Sequence, residues 1–500
     1  MKRLTLVFLL INFCIYFIVA QEKEKQNPKD IFLEAESYLL YEEYTEALPL
    51  FLKLSKAEPE NDNLNFKVGL CYLSVPYEKD RAINYLEKAT KNISKEYKSN
   101  SLKETKAPLD ALFYLGNAYR INNQLDKALE IYNSFKKQIN PEIYDETLVD
   151  EQIAAIERAK RYQSKPLKYE PKNLGENINS KFSETNAVVS ADERTLIYNV
   201  KLQFYDALFY SVKEDNNEWS APINIIPELG VDGDVYATSV SADGKELYIY
   251  RSDNYDGNIY VSHYFNNRWT PIKRLNENIN TKYWESHASI SADGTTLYFS
   301  SNRKGGYGGL DIFQSKRSDI KTDDWQRAQN LGAQINTTYN EETPFITEDA
   351  STLYFSSYGH FNMGGYDIFY SNQLENDIWS APLSMGYPIN TADDDLFFVP
   401  VKNGGFAYVC RYYPENFGKT DIYKVEIYSD QHPRKFILKG LVSIPAGVES
   451  ANFKLVAYII NRTTRDTIHI IPIDPKKAKF DSKLNAGNYQ LVIQGLGMEK

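Results

Sequence analysis

Ser291-Ala-Asp-Gly-Thr-Thr-Leu-Tyr-Phe-Ser300 is the stretch whose reading decides the fold. It recurs along the chain. Ser190-Ala-Asp192 precedes Leu196-Ile-Tyr198, and Ser241-Ala-Asp-Gly244 precedes Leu247-Tyr-Ile249. Asp349 precedes Leu353-Tyr-Phe355, and Asn403-Gly404 precedes Ala407-Tyr-Val409. In every copy the turn residue stands four places before the first residue of the apolar triplet, and the copies recur at intervals of 50 to 56 residues. A fixed period of this length marks a repeat architecture.

Each copy reads as four short strands. The first ends at the Asp/Asn-Gly turn, which supplies the positive φ angles of a tight hairpin. The second is the β-rich triplet. The third is Asp311-Ile-Phe313, matched by Asp367-Ile-Phe369, Asp421-Ile-Tyr423, Asn258-Ile-Tyr260 and, less closely, Asp206 to Phe209. The fourth starts near Trp219, Trp269, Trp325 or Trp379 and closes with Leu-Gly-x-x-Ile-Asn or a variant, as in Leu331 to Asn336. Four strands repeated radially make a β-propeller. The fifth copy lacks this ending, and an orphan ending, Leu174 to Asn179, precedes the first copy. The expectation is therefore five blades between residues 166 and 428, with Leu174 to Asn179 completing the fifth so that no strand edge is left open. These residues resemble the WD40-like periplasmic propeller repeat of the TolB family. The resemblance covers about half the chain and implies a fold rather than a chemistry.

The whole chain, at 500 residues, has room for roughly three domains. A formal charge of −10 gives no basic face for nucleic acid, so no nucleic-acid partner is expected. Cys14, Cys71 and Cys410 fall in three separate regions, which argues against a disulfide framework or a cysteine metal site. Residues 1–20 read as a cleavable export signal: Lys2 and Arg3, an apolar run from Leu4 to Val19, and Ala20 before Gln21.

Residues 28–165 carry a helical period near 34 residues with tetratricopeptide spacing: Ala35, Tyr38, Ala47 and Phe51, then Gly69, Tyr72, Ala82 and Leu86, then Leu115, Gly116, Tyr119, Ala128 and Tyr132. Lys98 to Lys106 reads as a loop between repeats and Tyr144 to Tyr162 as a capping helix. Such arrays offer a concave surface to a partner, or serve as a spacer. Asp430 to Arg434 reads as a linker. Residues 435–500 alternate as strands (436–442, 453–459, 466–471, 488–493), and Gly487-Asn-Tyr489 resembles the end of a carboxypeptidase-regulatory-like β-sandwich. That sandwich lacks a final strand, so either an edge stays open or the natural chain continues past Lys500.

No catalytic constellation is legible. His263, His287, His360, His432 and His469 lack metal-ligand spacing, and neither a nucleophile elbow nor a phosphate loop occurs, so no metal, cofactor or enzymatic activity is expected. Gly305 to Gly309 and Gly364-Gly365 read as turn glycines. One constellation stands out. Eight residues before the turn residue come Glu184, Glu285, Glu341 and Asp395, with Asp234 one position out of register. On the innermost strands these acids would ring a channel mouth and favour a cation or a basic peptide tail. The alternative is that each accepts hydrogen bonds within its own blade.

The order of signal, helical repeats, propeller and regulatory-like sandwich resembles the PorE-type OmpA-family proteins of Bacteroidetes. The resemblance implies a periplasmic scaffold at the outer membrane, linked to type IX secretion or gliding, and often partnered with a PorP/SprF-like barrel. Peptidoglycan is implied as a partner only if an OmpA-like domain follows residue 500. The alternatives are a carbohydrate- or peptide-binding envelope protein, or a propeller hydrolase.

Overall fold

A computed structural model describes residues 27–496 apart from positions 77, 95, 254–255, 375–377, 429–434, 444–453 and 475–476. The export signal and the 430–434 linker lie outside the described residues.

The chain opens with helices α1 (Pro28–Leu40), α2 (Tyr44–Ala57), α3 (Asp62–Ser74), α4 (Ala82–Ala89), α5 (Asp110–Ile121), α6 (Leu125–Lys136) and α7 (Glu146–Gln163). The Asn61 side chain caps α3 at Leu64 N (3.1 Å), and Asp145 caps α7 at Thr147 N (2.9 Å). Each of the pairs α1/α2, α3/α4 and α5/α6 packs on the next, and α7 lies against α6. Small residues set the closeness of the pairs. A Cβ on Gly69 would come within 2.5 Å of Leu86, and one on Gly116 within 2.5 Å of Tyr132.

Five antiparallel sheets follow. Sheet one runs β2 (Ser183–Val189), β3 (Thr195–Lys201), β4 (Asp206–Val212), β5 (Ile223–Asn224), while β1 (Lys168–Asn173) precedes it. Sheet two holds β6 (Val235–Val240), β7 (Glu246–Asp253), β8 (Asp256–Phe265) and β10 (Lys273–Arg274), with β9 (Arg268–Trp269) also on β8. Sheet three is β11 (Glu285–Ile290), β12 (Thr296–Ser301), β13 (Asp311–Lys316) and β14 (Gln329–Asn330); sheet four is β15 (Glu341–Ile346), β16 (Thr352–Ser357), β17 (Asp367–Asn372) and β18 (Leu383–Ser384). Sheet five is β19 (Val399–Val401), β20 (Phe406–Arg411) and β21 (Asp421–Tyr428), with β1 beside β21. The first strands touch in sequence, β2 on β6, β6 on β11, β11 on β15, β15 on β19 and β19 on β2. Val189, Val240, Ile290, Ile346 and Val401, one from each, line a cavity of about 70 Å³. The arrangement is propeller-like.

The recurring turn has a local cause. In the first four copies a hydroxyl binds the aspartate two residues on: Ser190 to Asp192 (2.7 Å), Ser241 to Asp243 (2.7 Å), Ser291 to Asp293 (2.6 Å), Thr347 to Asp349 (2.7 Å). The same hydroxyl accepts from the amide that begins the next strand, as Thr296 N does to Ser291 Oγ at 2.9 Å. The residue after the aspartate is left-handed, with φ +71° at Gly294 and +72° at Gly244, which is why glycine recurs there.

The position of the closing strand differs from expectation. The strand on β21 is Lys168–Asn173, paired from Lys168↔Tyr428 to Asn173↔Tyr423. Leu174 to Asn179 is the turn after it. The Leu-Gly-x-x-Ile-Asn glycines are left-handed (Gly175 φ +86°, Gly332 φ +88°) and cannot continue a strand. The asparagine does the pairing instead. Asn336 Oδ1 accepts from Ile312 N at 2.7 Å, and Nδ2 donates to Ile312 O at 3.0 Å. Asn179, Asn280 and Asn390 make the same two bonds to Ile422, Ile259 and Ile368.

The C-terminal region forms two small sheets. β22 (Lys435–Leu441) pairs with β25 (Lys479–Asn485), and β23 (Lys454–Asn461) lies between β24 (Thr467–Ile473) and β26 (Tyr489–Leu496). Leu455, Ala457, Ile473 and Phe480 share its core. Strand β25 was absent from the sequence expectation, because only Phe480 and Leu484 mark its apolar alternation among charged neighbours.

Candidate functional site

Glu285 and Glu341 open their strands, Glu184 is the second residue of β2, Asp395 stands four residues ahead of β19, and all are buried. Glu184, Glu285 and Glu341 are 0% exposed and Asp395 is 1%. Each accepts the amide of the Ser/Thr four residues earlier, just past the Ile-Asn turn: Ser180 N to Glu184 (3.1 Å), Thr281 N to Glu285 (2.7 Å), Thr337 N to Glu341 (2.8 Å), Thr391 N to Asp395 (2.5 Å). The second strand adds Ser301 Oγ on Glu285 (2.8 Å) and Ser357 Oγ on Glu341 (2.7 Å). Arg303 reaches Glu285 at 3.1 Å, and Arg411 reaches Asp395 at 2.7 Å. They therefore do not ring an open mouth as free charges; a buried carboxylate is kept by satisfying its oxygens. Asp234 departs from this pattern, being exposed and accepting Asp206 N at 3.2 Å.

Their electrostatics differ. Glu184 Oε2 has no partner, and burial pushes its pKa up to about 8. Burial also raises Glu341, and it lifts Asp395 to about 6 against the opposing Arg411 charge. The glycine loops wrap a second set of buried acids. Tyr307 N and Gly308 N donate to Asp311 at 2.6 and 3.0 Å, and Phe417 N and Gly418 N donate to Asp421 at 3.0 and 3.2 Å. At Asp367, Met363 N donates at 2.9 Å, while Oδ1 is left unpartnered.

Loops that enter the first strands and loops that join second to third strands share one end of the sheets. The helices sit on that end. Arg120 donates to the Ala392 carbonyl, and Arg158 Nε to the Asn362 carbonyl at 2.5 Å. Lys79 pairs with Asp393 at 2.7 Å, and Tyr339 donates to Glu151 at 2.8 Å. Met363 and Ala392 are buried in the helical core. A Cβ on Gly364 would lie 2.3 Å from the Arg120 guanidinium, so this glycine pair makes room for an arginine as well as a turn. Between the two bodies lies a cleft of about 1050 Å³, bordered by Lys79, Arg81 and Asn122 on the helices and by Asn186, Phe397 and Tyr412 on the sheets.

Sequence reasoning missed a further ring at this end. Asn186, His287, Thr343 and Phe397 each stand two residues after an aligned acid, and each is left-handed, with φ +48°, +46°, +46° and +62°. Register shifts mark bulges beside the first three. The constant offset was legible, but the residue types share nothing, so no motif announced it. His287 stacks on Tyr250 (6.1 Å), and burial holds its pKa below the ordinary histidine value.

Among the described residues no cluster of His, Cys, Asp and Glu could hold a metal ion. Also among the described residues, no helix is long and apolar enough to cross a membrane. Cys71 is buried among the helices, and Cys410 lies on β20.

No family model matches the chain, and no curated protein does. Solved structures do. TolB from Acinetobacter baumannii is 13% identical at a TM-score of 0.34, covering 51% of this chain and 56% of that one. An alpha-L-arabinofuranosidase catalytic domain from Coprinopsis cinerea is 10% identical at 0.36, covering 52% and 97%. A glycosyl hydrolase from Bacteroides ovatus is 12% identical at 0.33, covering 51% and 86%. Likeness at this level says nothing of chemistry.

Proposed function

We propose that this chain is a non-enzymatic envelope scaffold that holds partner proteins. Its β-rich centre is a five-bladed propeller closed by β1, and its helices are tetratricopeptide repeats. The observation that carries the reading is the composite cleft. Arg120, Arg158 and Lys79 fix the helical array on one end of the sheets, and both bodies contribute walls to one space of about 1050 Å³. Helical arrays and propellers each present such surfaces to polypeptides. The four aligned acids, Glu184, Glu285, Glu341 and Asp395, are buried in hydrogen bonds within the fold.

On the resemblance of domain order, the scaffold works in the periplasm at the outer membrane, in type IX secretion or gliding, with a PorP/SprF-like barrel as partner. Peptidoglycan joins that set only through an OmpA-like domain beyond residue 500. The test is photo-crosslinking in cells. A crosslinker at Asn122 or Tyr412 should capture a discrete envelope protein, while one at Phe265, which is 65% exposed on sheet two, should not. Equal capture from all three positions would sink the reading, as would labelling of the purified protein by a hydrolase-directed probe. A second reading, a carbohydrate-binding envelope protein, draws on the aromatic contacts of Tyr236, Tyr250 and Trp284; a glycan array separates it.

A further inference from the structure

We infer that the mouth of the propeller-like region takes an extended basic segment of the partner polypeptide, with its cationic side chains lying on aromatic rings and ending on carboxylates. The inference rests on the scaffold reading and names the chemistry of the partner.

A continuous run of rings crosses the mouth. Tyr236 and Tyr250 have centroids 6.1 Å apart, Tyr250 and Trp284 5.8 Å, Tyr250 and His287 6.1 Å, His287 and Phe397 6.4 Å. They come from sheets two, three and five, and Phe397 also borders the cleft under the helices. All five rings are half-buried, so they are held in place and still reachable. Trp284 is seated on Gly257, where a Cβ would come within 2.7 Å. The left-handed residues belong to the same feature. A bulge re-aims a side chain, and a non-glycine residue in that conformation is costly enough to need a reason. Four occur at one repeat position around one mouth.

Charge selects the occupant. Asp206, Asp232, Asp234, Glu342, Asp393 and Asp394 stand on loops or strand starts at this end. The basic groups at this end are Arg251, 3.6 Å from Asp232, Lys79 on Asp393 and Asp394, His287, 3.5 Å from Glu342, and the exposed Lys201, Lys304 and Lys419, while Arg81, Arg303 and Arg411 are engaged by Glu78, Glu285 and Asp395. Lys181 and Lys282 lie over their own neighbours Phe182 and Tyr283, at 5.3 and 5.5 Å. Glu342 is set against the rings themselves, beside a histidine whose charged form burial disfavours. Aromatic faces attract guanidinium and ammonium groups, and complementary potentials select the partner. A chain in extended form suits a space roofed by helices and leading past Phe397 toward the run of rings, beyond which Asp232 of sheet two is 93% exposed.

The test uses the full chain and a fluorescein-labelled octapeptide of alternating Arg and Gly. It should bind and quench tryptophan emission, the quench falling in Trp284→Phe. Glu342→Gln combined with Asp234→Asn should weaken binding about tenfold. Asp215→Asn with Asp319→Asn, at the opposite end of the sheets, should leave it unchanged. Equal weakening by both pairs would mean diffuse attraction to an acidic protein and overturn the inference. So would binding of chitotetraose at the mouth in place of the peptide. Retained capture of the crosslinked envelope partner by the Glu342→Gln, Asp234→Asn protein overturns the mouth site alone, whereas absence of capture by the unsubstituted protein overturns the scaffold reading itself.

Discussion

Glu184 and Glu285 occupy the same repeat position, yet they should answer substitution differently. Glu184 has a free buried oxygen and a pKa near 8. Between the ordinary glutamate value and about 8, the folded protein holds a proton that the unfolded chain has released, so stability falls as pH rises through that window. Glu184→Gln removes the slope, and melting temperatures of the two proteins should diverge above pH 6 in favour of the variant. Glu285 is filled by Thr281, Ser301 and Arg303. Its Gln variant turns a donor toward donors and should lose about 1–3 kcal/mol, read as a lower denaturant midpoint. Glu193 reports on the junction of sheets one and five. Burial would raise its pKa, but Lys424, Lys402 and Tyr408 outweigh burial and hold it at about 2. A depressed carboxylate contributes stability above its unfolded pKa and loses it as pH falls toward about 2. Glu193→Gln should therefore be less stable at pH 7 and show a shallower loss between pH 4.5 and pH 2 than the parent.

Elements are held by clamps that a strand assignment does not reveal. The Asn336 side chain takes both backbone groups of Ile312 and so extends β14 past the point where the chain turns away. Asn336→Ala strands those groups inside the sheet and should cost about 1–3 kcal/mol. Its denaturant midpoint should drop with the slope unchanged. In the helices, Gly116 is the informative position. Alanine would gain about 1 kcal/mol of helix propensity. The Cβ would also press on the Tyr132 ring at 2.5 Å, an overpacking cost of about 1–3 kcal/mol. A net lower midpoint for Gly116→Ala is expected; an increase would mean that the Tyr132 ring moves freely.

For the molecule as a whole, two junctions set the shape. The first is β1 on β21, six paired residues joining segments 250 to 260 residues apart in the chain. A chain starting at residue 174 should expose β21 as an edge and aggregate, which light scattering at rising concentration would detect. The second is the seat of the helices on sheet four. Arg120→Ala with Arg158→Ala removes bonds to the carbonyls of buried Ala392 and half-buried Asn362. If those arginines fix the array, solution X-ray scattering should give a larger radius of gyration, and protease should cut near residues 164–167 without loss of either core. An unchanged radius would assign the junction to the Met363 and Ala392 contacts instead.

The chain by itself determined the local periods. Ser/Thr-x-Asp followed by a left-handed residue closes its turn through its own side chains, so each of the first four copies forces the same hairpin wherever it stands. Small residues opposite aromatics at helical spacing did the same for the helix pairs. Those interactions span few residues, and sequence displays them directly. Tertiary structure decided the rest. The outer strand moved to Lys168–Asn173, because the Leu-Gly-x-x-Ile-Asn stretch contains a glycine that must turn and an asparagine that bonds to a strand up to 243 residues away. Burial turned four aligned acids from a prospective ring of charge into hydrogen-bond anchors. The aromatic mouth, and the cleft beneath the helices, arise from side chains that no shared motif connects. They meet because successive sheets place the same backbone position at one end of the propeller-like region, and because the helices pack over that end.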